Sequence, residues 1–254
     1  MLLLATACAR VLDGFSTPES ALHDPRADLY LLTNIAGHAV DDVGWIARVS
    51  PTGEVVDPRW IDAADADITL DKPKGMAFDD DGVLYVADGA WIRRFDRETG
   101  APLGDWPIPE ADDLNDLLWT GTHLLVTDMG TGSLVEVTRA GDWIRHDVGG
   151  KPNGVVLCDG TVTVADWDGH LATWDGATLT HRATLGAARL DGLVCDDGGL
   201  LVASWDAAAV LRWGPAGEST FFHAEKPADI GFDASRSRVL VPEFDAGRFS
   251  IVPQ

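Results

Sequence analysis

A three-residue motif recurs six times along the chain, and this repetition constrains the fold more than any other feature. Each copy stands directly before an apolar, strand-like segment, and the middle residues of successive copies are 55, 41, 38, 38 and 37 residues apart. The six copies are Pro18–Ser20, Pro73–Gly75, Leu114–Asp116, Pro152–Gly154, Leu190–Gly192 and Pro227–Asp229. Repeats of about 40 to 50 residues that contain several strands are typical of propeller blades.

Each repeat has the pattern of a four-stranded antiparallel blade. The motif is followed by an apolar strand, then by a turn such as Asp81-Gly82 or Asp159-Gly160, and then by a second strand rich in β-branched residues. Two further strands follow, and no stretch has a sustained helical period. We therefore predict an all-β, six-bladed β-propeller in a single domain over residues 1–254, with blades opening near residues 18, 73, 114, 152, 190 and 227.

The last repeat is one strand short, because the chain stops at Gln254 where a fourth strand is due. We predict that Ala7–Leu12 supplies this strand and closes the ring, since closure removes an exposed sheet edge. Met1–Thr6 is interpreted as the remnant of a leader. We expect a periplasmic or secreted protein if a trimmed leader preceded residue 1, and a cytoplasmic protein otherwise.

Acidic residues outnumber basic residues by 41 to 19, which gives a formal net charge of −22. This balance argues against nucleic acid as a partner, because phosphate binding needs clustered Lys and Arg. No segment is long and apolar enough to span a membrane. We therefore expect a monomer that binds no nucleic acid and does not span a membrane.

The three cysteines, Cys8, Cys158 and Cys195, are few and widely spaced, and they lack the spacing of a zinc site. We interpret Cys158 and Cys195, which lie in apolar segments, as small buried hydrophobic residues rather than as a disulfide framework.

The middle residues of the motifs form what we call the inner column. Because the innermost strand of every blade begins beside the central channel, these side chains should converge on one axis. The inner column consists of Glu19, Lys74, Asn115, Asn153, Asp191 and Ala228. Two carboxylates and two carboxamides form an oxygen-rich set that suits Ca²⁺, while Mn²⁺, Mg²⁺ or Zn²⁺ are the alternatives.

Taken singly, most of these residues have a structural explanation. Asn153-Gly154 and Asp191-Gly192 resemble tight turns, and Asn115 could cap a loop. A turn does not explain Glu19, which is a poor turn residue, and it does not explain why four oxygen donors share one column.

A second set of polar residues lies at the ends of the second strands. This second ring consists of Asn34, Asp88, Asp128, Asp166, Ser204 and Glu243. An aromatic residue and then an acid follow three of its members, at Trp167, Trp205 and Phe244. The aromatic residues could pack between blades while the acids cap loops, or the aromatic residues could form the walls of an apolar substrate pocket. The sequence contains no serine-hydrolase elbow, P-loop or dinucleotide motif.

The segments "STPESALHDPRADLYLLTNIAG", "LNDLLW", "KPNGVVL" and "LDGLVCDDGGLLVASW" resemble the blade-opening motifs of the SMP-30/gluconolactonase/LRE-like family. That family consists of six-bladed propellers with one divalent cation, often Ca²⁺, at the top of the channel, and its members hydrolyse lactones and related esters. The resemblance implies that Glu19, Asn153 and Asp191 are metal ligands. It also implies that Asn115 reaches the metal or the substrate. Asp113 stands where sugar lactonases usually carry Arg, which points to a smaller, more apolar or cationic substrate.

These observations predict a divalent-metal-dependent hydrolase of a small lactone or ester. The expected catalytic residues are Asp191, as the first candidate for the base, Glu19 as the second, and Asn115. Asp116 and Asp229 would support the metal ligands. Lys74 would either pair with a carboxylate of the inner column or hold an anionic product.

The expected substrate-binding residues are Lys74, Asp113, Trp167, Trp205 and Phe244. The alternative is a non-catalytic propeller in which the metal stabilises the channel and the top face binds a small ligand or a protein.

Overall fold

The protein is described from a computed structural model that covers residues 8–37 and 43–254. The predicted leader remnant, Met1–Thr6, and the first residue of the predicted closing strand, Ala7, lie outside the described residues.

The described residues form 24 strands and no helix. The strands are β1 (Arg10–Asp13), β2 (Pro18–Asp24), β3 (Leu29–Asn34), β4 (Trp45–Val49), β5 (Val55–Asp62), β6 (Pro73–Phe78), β7 (Val83–Asp88), β8 (Trp91–Asp96), β9 (Pro102–Pro107), β10 (Leu114–Trp119), β11 (His123–Asp128), β12 (Ser133–Thr138), β13 (Trp143–Asp147), β14 (Pro152–Cys158), β15 (Thr161–Asp166), β16 (His170–Trp174), β17 (Leu179–Thr184), β18 (Leu190–Asp196), β19 (Gly199–Ser204), β20 (Ala209–Gly214), β21 (Gly217–His223), β22 (Gly231–Asp233), β23 (Arg238–Glu243) and β24 (Arg248–Pro253). Within this described part of the chain, no helix could cross a membrane.

These strands pair into six antiparallel sheets of four strands, and the protein is a six-bladed β-propeller, as predicted. Blades 1 to 5 are consecutive meanders that start at β2, β6, β10, β14 and β18. Blade 6 combines β22, β23 and β24 with the N-terminal strand β1.

The N-terminal strand closes the ring, as the missing fourth strand of the last repeat predicts. Strand β1 pairs with β24 from Arg10 opposite Ile251 to Asp13 opposite Arg248. The observed strand begins later than the predicted Ala7–Leu12 and extends one residue further.

A separate apolar core lies between each pair of neighbouring blades. For example, Leu31 and Ile46 of blade 1 pack with Met76 and Val86 of blade 2. The same arrangement recurs at the other five interfaces. The continuous apolar runs in the inner strands are explained by this burial on both faces.

In blades 1 to 5 the motif residues lie in β-bulges rather than in turns, which corrects the turn interpretation of Asn153-Gly154 and Asp191-Gly192. Asn153 and Gly154 lie inside β14, where the pairing with β15 shifts between Pro152 and Val155. The same shift occurs at the motif in each of blades 1, 2, 3 and 5. A bulge adds a residue to one strand and redirects its side chains, which is why bulges are common beside active sites.

Cys158 and Cys195 form a disulfide, so the interpretation of these residues as separate buried hydrophobic side chains was wrong. The bond joins the ends of β14 and β18, the inner strands of blades 4 and 5. Cys8 is a free, exposed thiol. Neighbouring inner strands lie side by side, and two cysteines at nearly equivalent positions are therefore close in space.

Candidate active site

A pocket of about 440 Å³ lies where the inner strands begin. All six blades contribute to it. Every residue predicted to bind metal or substrate, or to take part in catalysis, lines this pocket, and they are Glu19, Lys74, Asp113, Asn115, Asn153, Trp167, Asp191, Trp205 and Phe244. The individual roles of these residues stay predictions.

Four buried oxygen atoms in this pocket lack a hydrogen-bond partner. They belong to the four predicted metal ligands and are Glu19 Oε2, Asn115 Oδ1, Asn153 Oδ1 and Asp191 Oδ1. The four side chains belong to residues that are at most 5% exposed. Buried polar atoms in folded proteins nearly always have a partner, so such atoms suggest an ion or a water molecule.

Contacts from two neighbouring blades fix Asn153. Its side-chain Nδ2 donates a hydrogen bond of 3.1 Å to the carbonyl oxygen of Leu190, in blade 5. Its own carbonyl oxygen accepts a hydrogen bond from the hydroxyl of Thr127, in blade 3. Because the amide nitrogen is committed to Leu190, Oδ1 is the atom left facing the pocket.

Glu19 is held where the first and last blades meet. Its carbonyl oxygen accepts a hydrogen bond of 2.8 Å from the backbone N–H of Asp229. The hydroxyl of Ser20 donates a further bond to the carboxylate of Asp229. The carboxylate of Asp116 makes a comparable contact elsewhere in the ring, since Oδ2 accepts a 2.7 Å bond from the N–H of Val155. Asp116 and Asp229, the predicted supports, thus connect neighbouring inner strands.

Burial raises the pKa of both carboxyl groups of the inner column, and also of Asp116 and Asp229, which directly follow inner-column residues in the sequence. It raises the pKa of Asp191 to about 8, with the charge of Asp229 as the next cause, and the pKa of Asp229 to about 7. The pKa values of Glu19 and Asp116 also lie well above their ordinary values, for the same main reason. The positive charge of Lys74 lowers the pKa values of Glu19 and Asp191 and so partly offsets the effect of burial. The ionised form of carboxyl groups buried so close together is favourable only beside positive charge.

Lys74 forms its ion pair with Asp113 and not with a carboxylate of the inner column, which was one of the two predicted possibilities. The distance from Lys74 Nζ to Asp113 Oδ1 is 2.6 Å. The backbone of Asp113 is itself fixed, because its N–H donates to Asp128 Oδ1 and its carbonyl oxygen accepts a bond from the N–H of Met129.

The second ring fixes the loops that lead into the motifs. Its side chains bind backbone groups just before each inner strand. The bonds join Asn34 to Ser16, Asp88 to Lys72, Asp128 to Asp113, Asp166 to Lys151, Ser204 to Ala188 and Glu243 to Glu225. The second ring therefore positions the inner column rather than forming a site of its own.

The residues that directly follow the second ring are called the wall column, and all of them except Gly89 form one wall of the pocket. The wall column consists of Ile35, Gly89, Met129, Trp167, Trp205 and Phe244. Sequence analysis singled out only its three aromatic members, whereas Ile35 and Met129 also line the pocket. Their shared position after the second ring was the signal that could have identified them.

Lys72, Lys226 and Asp245 also line the pocket and were not predicted. Lys226 pairs with Asp245, and its Nζ lies 5.1 Å from the centre of the Trp205 ring. Lys72 and Lys226 occupy the same repeat position as Asp113, directly before a motif. This shared position in the repeat could have identified Lys72 and Lys226 as pocket residues from the sequence.

The donor set fits a hard divalent cation. No group of three or more His, Cys, Asp or Glu side chains within residues 8–37 and 43–254 is placed to hold a metal. The inner column instead offers two carboxylates and two carboxamides. Oxygen donors of this mixed kind are typical of Ca²⁺ sites, in which water molecules complete the coordination.

The fold resembles several solved structures, although no protein-family model and no curated protein matches the sequence. A proposed gluconolactonase is 17% identical with a TM-score of 0.76, covering 98% of this chain and 92% of that chain. A gluconolactonase from Xanthomonas campestris is 17% identical with a TM-score of 0.74, covering 96% and 90%. Virginiamycin B lyase from Staphylococcus aureus is 12% identical with a TM-score of 0.69, covering 97% and 99%. At these identities the similarity establishes the propeller fold.

Proposed function

We propose that the protein is a divalent-cation-dependent hydrolase of lactones or related esters, related to the SMP-30/gluconolactonase family. The observation that carries this proposal is the set of four unpartnered, buried oxygens of Glu19, Asn115, Asn153 and Asp191 in one pocket. The fold similarity to gluconolactonases supports it.

The same four side chains would hold the cation, with Ca²⁺ as the first choice. When bound, a divalent cation supplies Lewis acidity that stabilises negative charge on the carbonyl oxygen of the substrate. Its charge would also offset the mutual repulsion of Glu19 and Asp191 and lower their raised pKa values, so that both act as carboxylates near neutral pH.

Asp191 is the proposed general base, and Glu19 is the second candidate. The oxygen of a water molecule attacks the carbonyl carbon, and Asp191 accepts the proton that this water loses. The bond between the carbonyl carbon and the ester oxygen then breaks, and the proton passes to the departing alkoxide. The products are a carboxylic acid, which releases its proton to water and becomes a carboxylate, and a hydroxyl group; both remain in one molecule when the substrate is a lactone. Asn115 and the wall column would orient the substrate and exclude bulk water.

A lyase activity has less support from the pocket. A histidine-to-alanine variant of virginiamycin B lyase is catalytically inactive. Among the described residues of this chain, no histidine lines the pocket. A hydrolase that relies on carboxylates agrees better with the groups that are present.

The test is hydrolysis of a panel of lactones and esters by chelator-treated protein, with Ca²⁺, Mn²⁺, Mg²⁺ and Zn²⁺ supplied separately. We expect turnover with at least one ion and none with chelator. Asp191→Asn should lower kcat by about 10²- to 10⁴-fold, the usual contribution of a positioned base. The exposed Asp147→Asn is the matched control and should keep full activity. If wild-type protein turns over no substrate with any ion but still binds one, the non-catalytic alternative holds.

A further inference from the structure

We propose that the pocket prefers lactones or esters with an apolar substituent over polyhydroxylated sugar lactones, and that the wall column holds this substituent. The inference rests on the proposed function and specifies its substrate class.

The apolar part of the pocket is a continuous arc that runs through four consecutive blades. The ring centres of Trp167 and Trp205 are 5.2 Å apart, and those of Trp205 and Phe244 are also 5.2 Å apart. Phe244 packs in turn with Ile35 and Ala228 in one buried cluster. An aromatic surface of this extent binds apolar groups of a ligand by removing them from water.

The arc is fixed in place by backbone hydrogen bonds, so it does not need to form on binding. The N–H groups of Trp167, Trp205 and Phe244 each donate to the carbonyl oxygen of the residue just before the motif of the same blade, at 3.0, 3.0 and 3.1 Å. Lys226 lies over the Trp205 ring at 5.1 Å and is held by Asp245. A preformed wall binds an apolar substituent without the entropic cost of ordering side chains.

The charged part of the pocket offers few free groups to sugar hydroxyls. Lys74 and Asp113 satisfy each other at 2.6 Å, and Lys226 and Asp245 form a second ion pair. Apart from the four oxygens of the proposed cation site, the polar groups that stay open to a substrate include the ammonium group of Lys72 and the indole N–H of Trp205, which lies beside Asp191. The hydroxyl groups of a sugar lactone would compete with these ion pairs for donors and acceptors, and hydroxyl groups that face the wall column would be left unpaired.

The expected size of the preference for an apolar substituent follows from the selectivity that hydrophobic pockets usually show. An added methylene group changes kcat/KM in a hydrophobic pocket by roughly 10- to 200-fold. An added hydroxyl group lowers kcat/KM in such a pocket by only about 100-fold. We therefore expect a preference of at least about 10-fold in kcat/KM for an apolar lactone over a sugar lactone of the same ring size. The pocket volume of about 440 Å³ leaves room for a substituent beside the lactone ring.

The kinetic test compares δ-decanolactone, glucono-δ-lactone and unsubstituted δ-valerolactone, with the activating cation present. The wild type should favour δ-decanolactone over glucono-δ-lactone by at least 10-fold in kcat/KM. Trp167→Ala and Trp167→Gln should both reduce this ratio by about 10-fold and should lower kcat/KM for δ-decanolactone more than for δ-valerolactone, which has no substituent for the wall column to hold. The control Trp143→Ala, at a 36% exposed position on β13, should leave the ratio unchanged. Equal or better turnover of glucono-δ-lactone, or a ratio that Trp167 variants do not change, would overturn the inference.

A binding measurement separates this inference from the proposed hydrolysis. Lactam analogues of δ-decanolactone and glucono-δ-lactone are titrated into the protein by calorimetry. The apolar lactam should bind at least 10-fold more tightly, and Trp167→Ala should abolish the difference. Absence of turnover together with this binding pattern rejects hydrolysis and retains the apolar preference. Turnover of lactones with equal or tighter binding of the sugar lactam retains hydrolysis and rejects the apolar preference.

Discussion

Asn153 illustrates how a single side chain becomes available to a ligand. An Asn-Gly pair usually marks a tight turn, but here Thr127 binds the carbonyl oxygen of Asn153 and Leu190 binds its amide nitrogen. The remaining oxygen has no partner within the protein. Burial of this unpartnered oxygen costs free energy unless an ion or a water molecule binds it.

The raised pKa values predict how metal-free protein responds to pH. The folded pKa values of Asp191 and Asp229, about 8 and about 7, exceed the unfolded value of about 4. The folded state thus binds these two protons more tightly, so the stability that Asp191 and Asp229 contribute is fully present below the unfolded pKa and is lost as pH rises through about 7 to 8. Chelator-treated protein should melt at a lower temperature at pH 8 than at pH 5.5. Differential scanning calorimetry measures this shift.

The control for this pH effect is Asp191→Asn, which removes one of the titrating groups. It should raise the melting temperature of metal-free protein at pH 8 and flatten the dependence on pH. Asp233, whose pKa of about 2 is lowered by hydrogen bonds from Ser235 and Tyr30, keeps its charge throughout this range. A melting temperature that rises from pH 5.5 to pH 8 would contradict the burial of these carboxyl groups in protonated form.

At the scale of residues, the sequence predicted which side chains meet but not what each one contacts. The repeat alignment alone placed Glu19, Asn115, Asn153 and Asp191 in one column. The ion pair between Lys74 and Asp113 was missed, because it joins two different repeat positions in neighbouring blades. Pairings of this kind depend on side-chain direction, which a repeat alignment does not contain.

At the scale of elements, the inner strands of blades 2, 4 and 5 approach their neighbours closely because the third motif position is glycine in these blades. A Cβ atom on Gly192 would lie 2.3 Å from Asp229 Oδ1 and 2.4 Å from the backbone nitrogen of Ile230. Gly192→Ala should therefore lower the free energy of unfolding by about 1 to 3 kcal/mol and weaken cation binding. Gly186→Ala is the control, since its nearest contact is a Glu218 side-chain oxygen at 3.3 Å. Chemical denaturation of both variants measures the difference, and equal stabilities would contradict the close approach.

The disulfide predicts a second effect at this scale. Cys158 and Cys195 are 37 residues apart, and their bond joins the strands that carry Asn153 and Asp191. Replacing both cysteines by serine should lower the stability by about 2 to 4 kcal/mol and weaken cation binding. Cys8→Ser is the matched control and should have no effect. A double variant with wild-type stability would show that this bond is unimportant to the fold.

The strands, the bulges and the disulfide differ in how far the repeat pattern of the sequence predicts them. The order of strands and the four-stranded blades followed from the repeat, because apolar alternation and turn residues are local signals. The bulges at the motifs were missed, since a bulge and a turn use the same small and polar residues. The disulfide was missed although the cysteine spacing of 37 residues nearly equals the 38 residues between Asn153 and Asp191.

At the scale of the whole molecule, closure of the ring depends on four residues of β1. Leu12 packs into the core between blades 1 and 6. Deleting residues 1–13 should cost about 2 kcal/mol or more from lost apolar burial, and should lower the melting temperature by about 5 °C or more. It should also promote aggregation, because β24 becomes an unprotected edge. Deletion of residues 1–7 is the control, and identical melting of both truncated proteins would contradict the closing role of β1.

The same closed ring brings residues of six blades to one pocket, and we propose that residues of four blades bind a divalent cation there. Calorimetric titration of chelator-treated protein with Ca²⁺ at pH 8 tests for this ion. We expect one ion per chain and, at 100-fold excess over Kd, a melting temperature about 5 to 10 °C higher. Glu19→Ala should abolish both effects, whereas the exposed Glu54→Ala should not. The claim is contradicted if Ca²⁺, Mn²⁺, Mg²⁺ and Zn²⁺ all leave the melting temperature unchanged, or if Glu19→Ala binds the ion as tightly as the wild type.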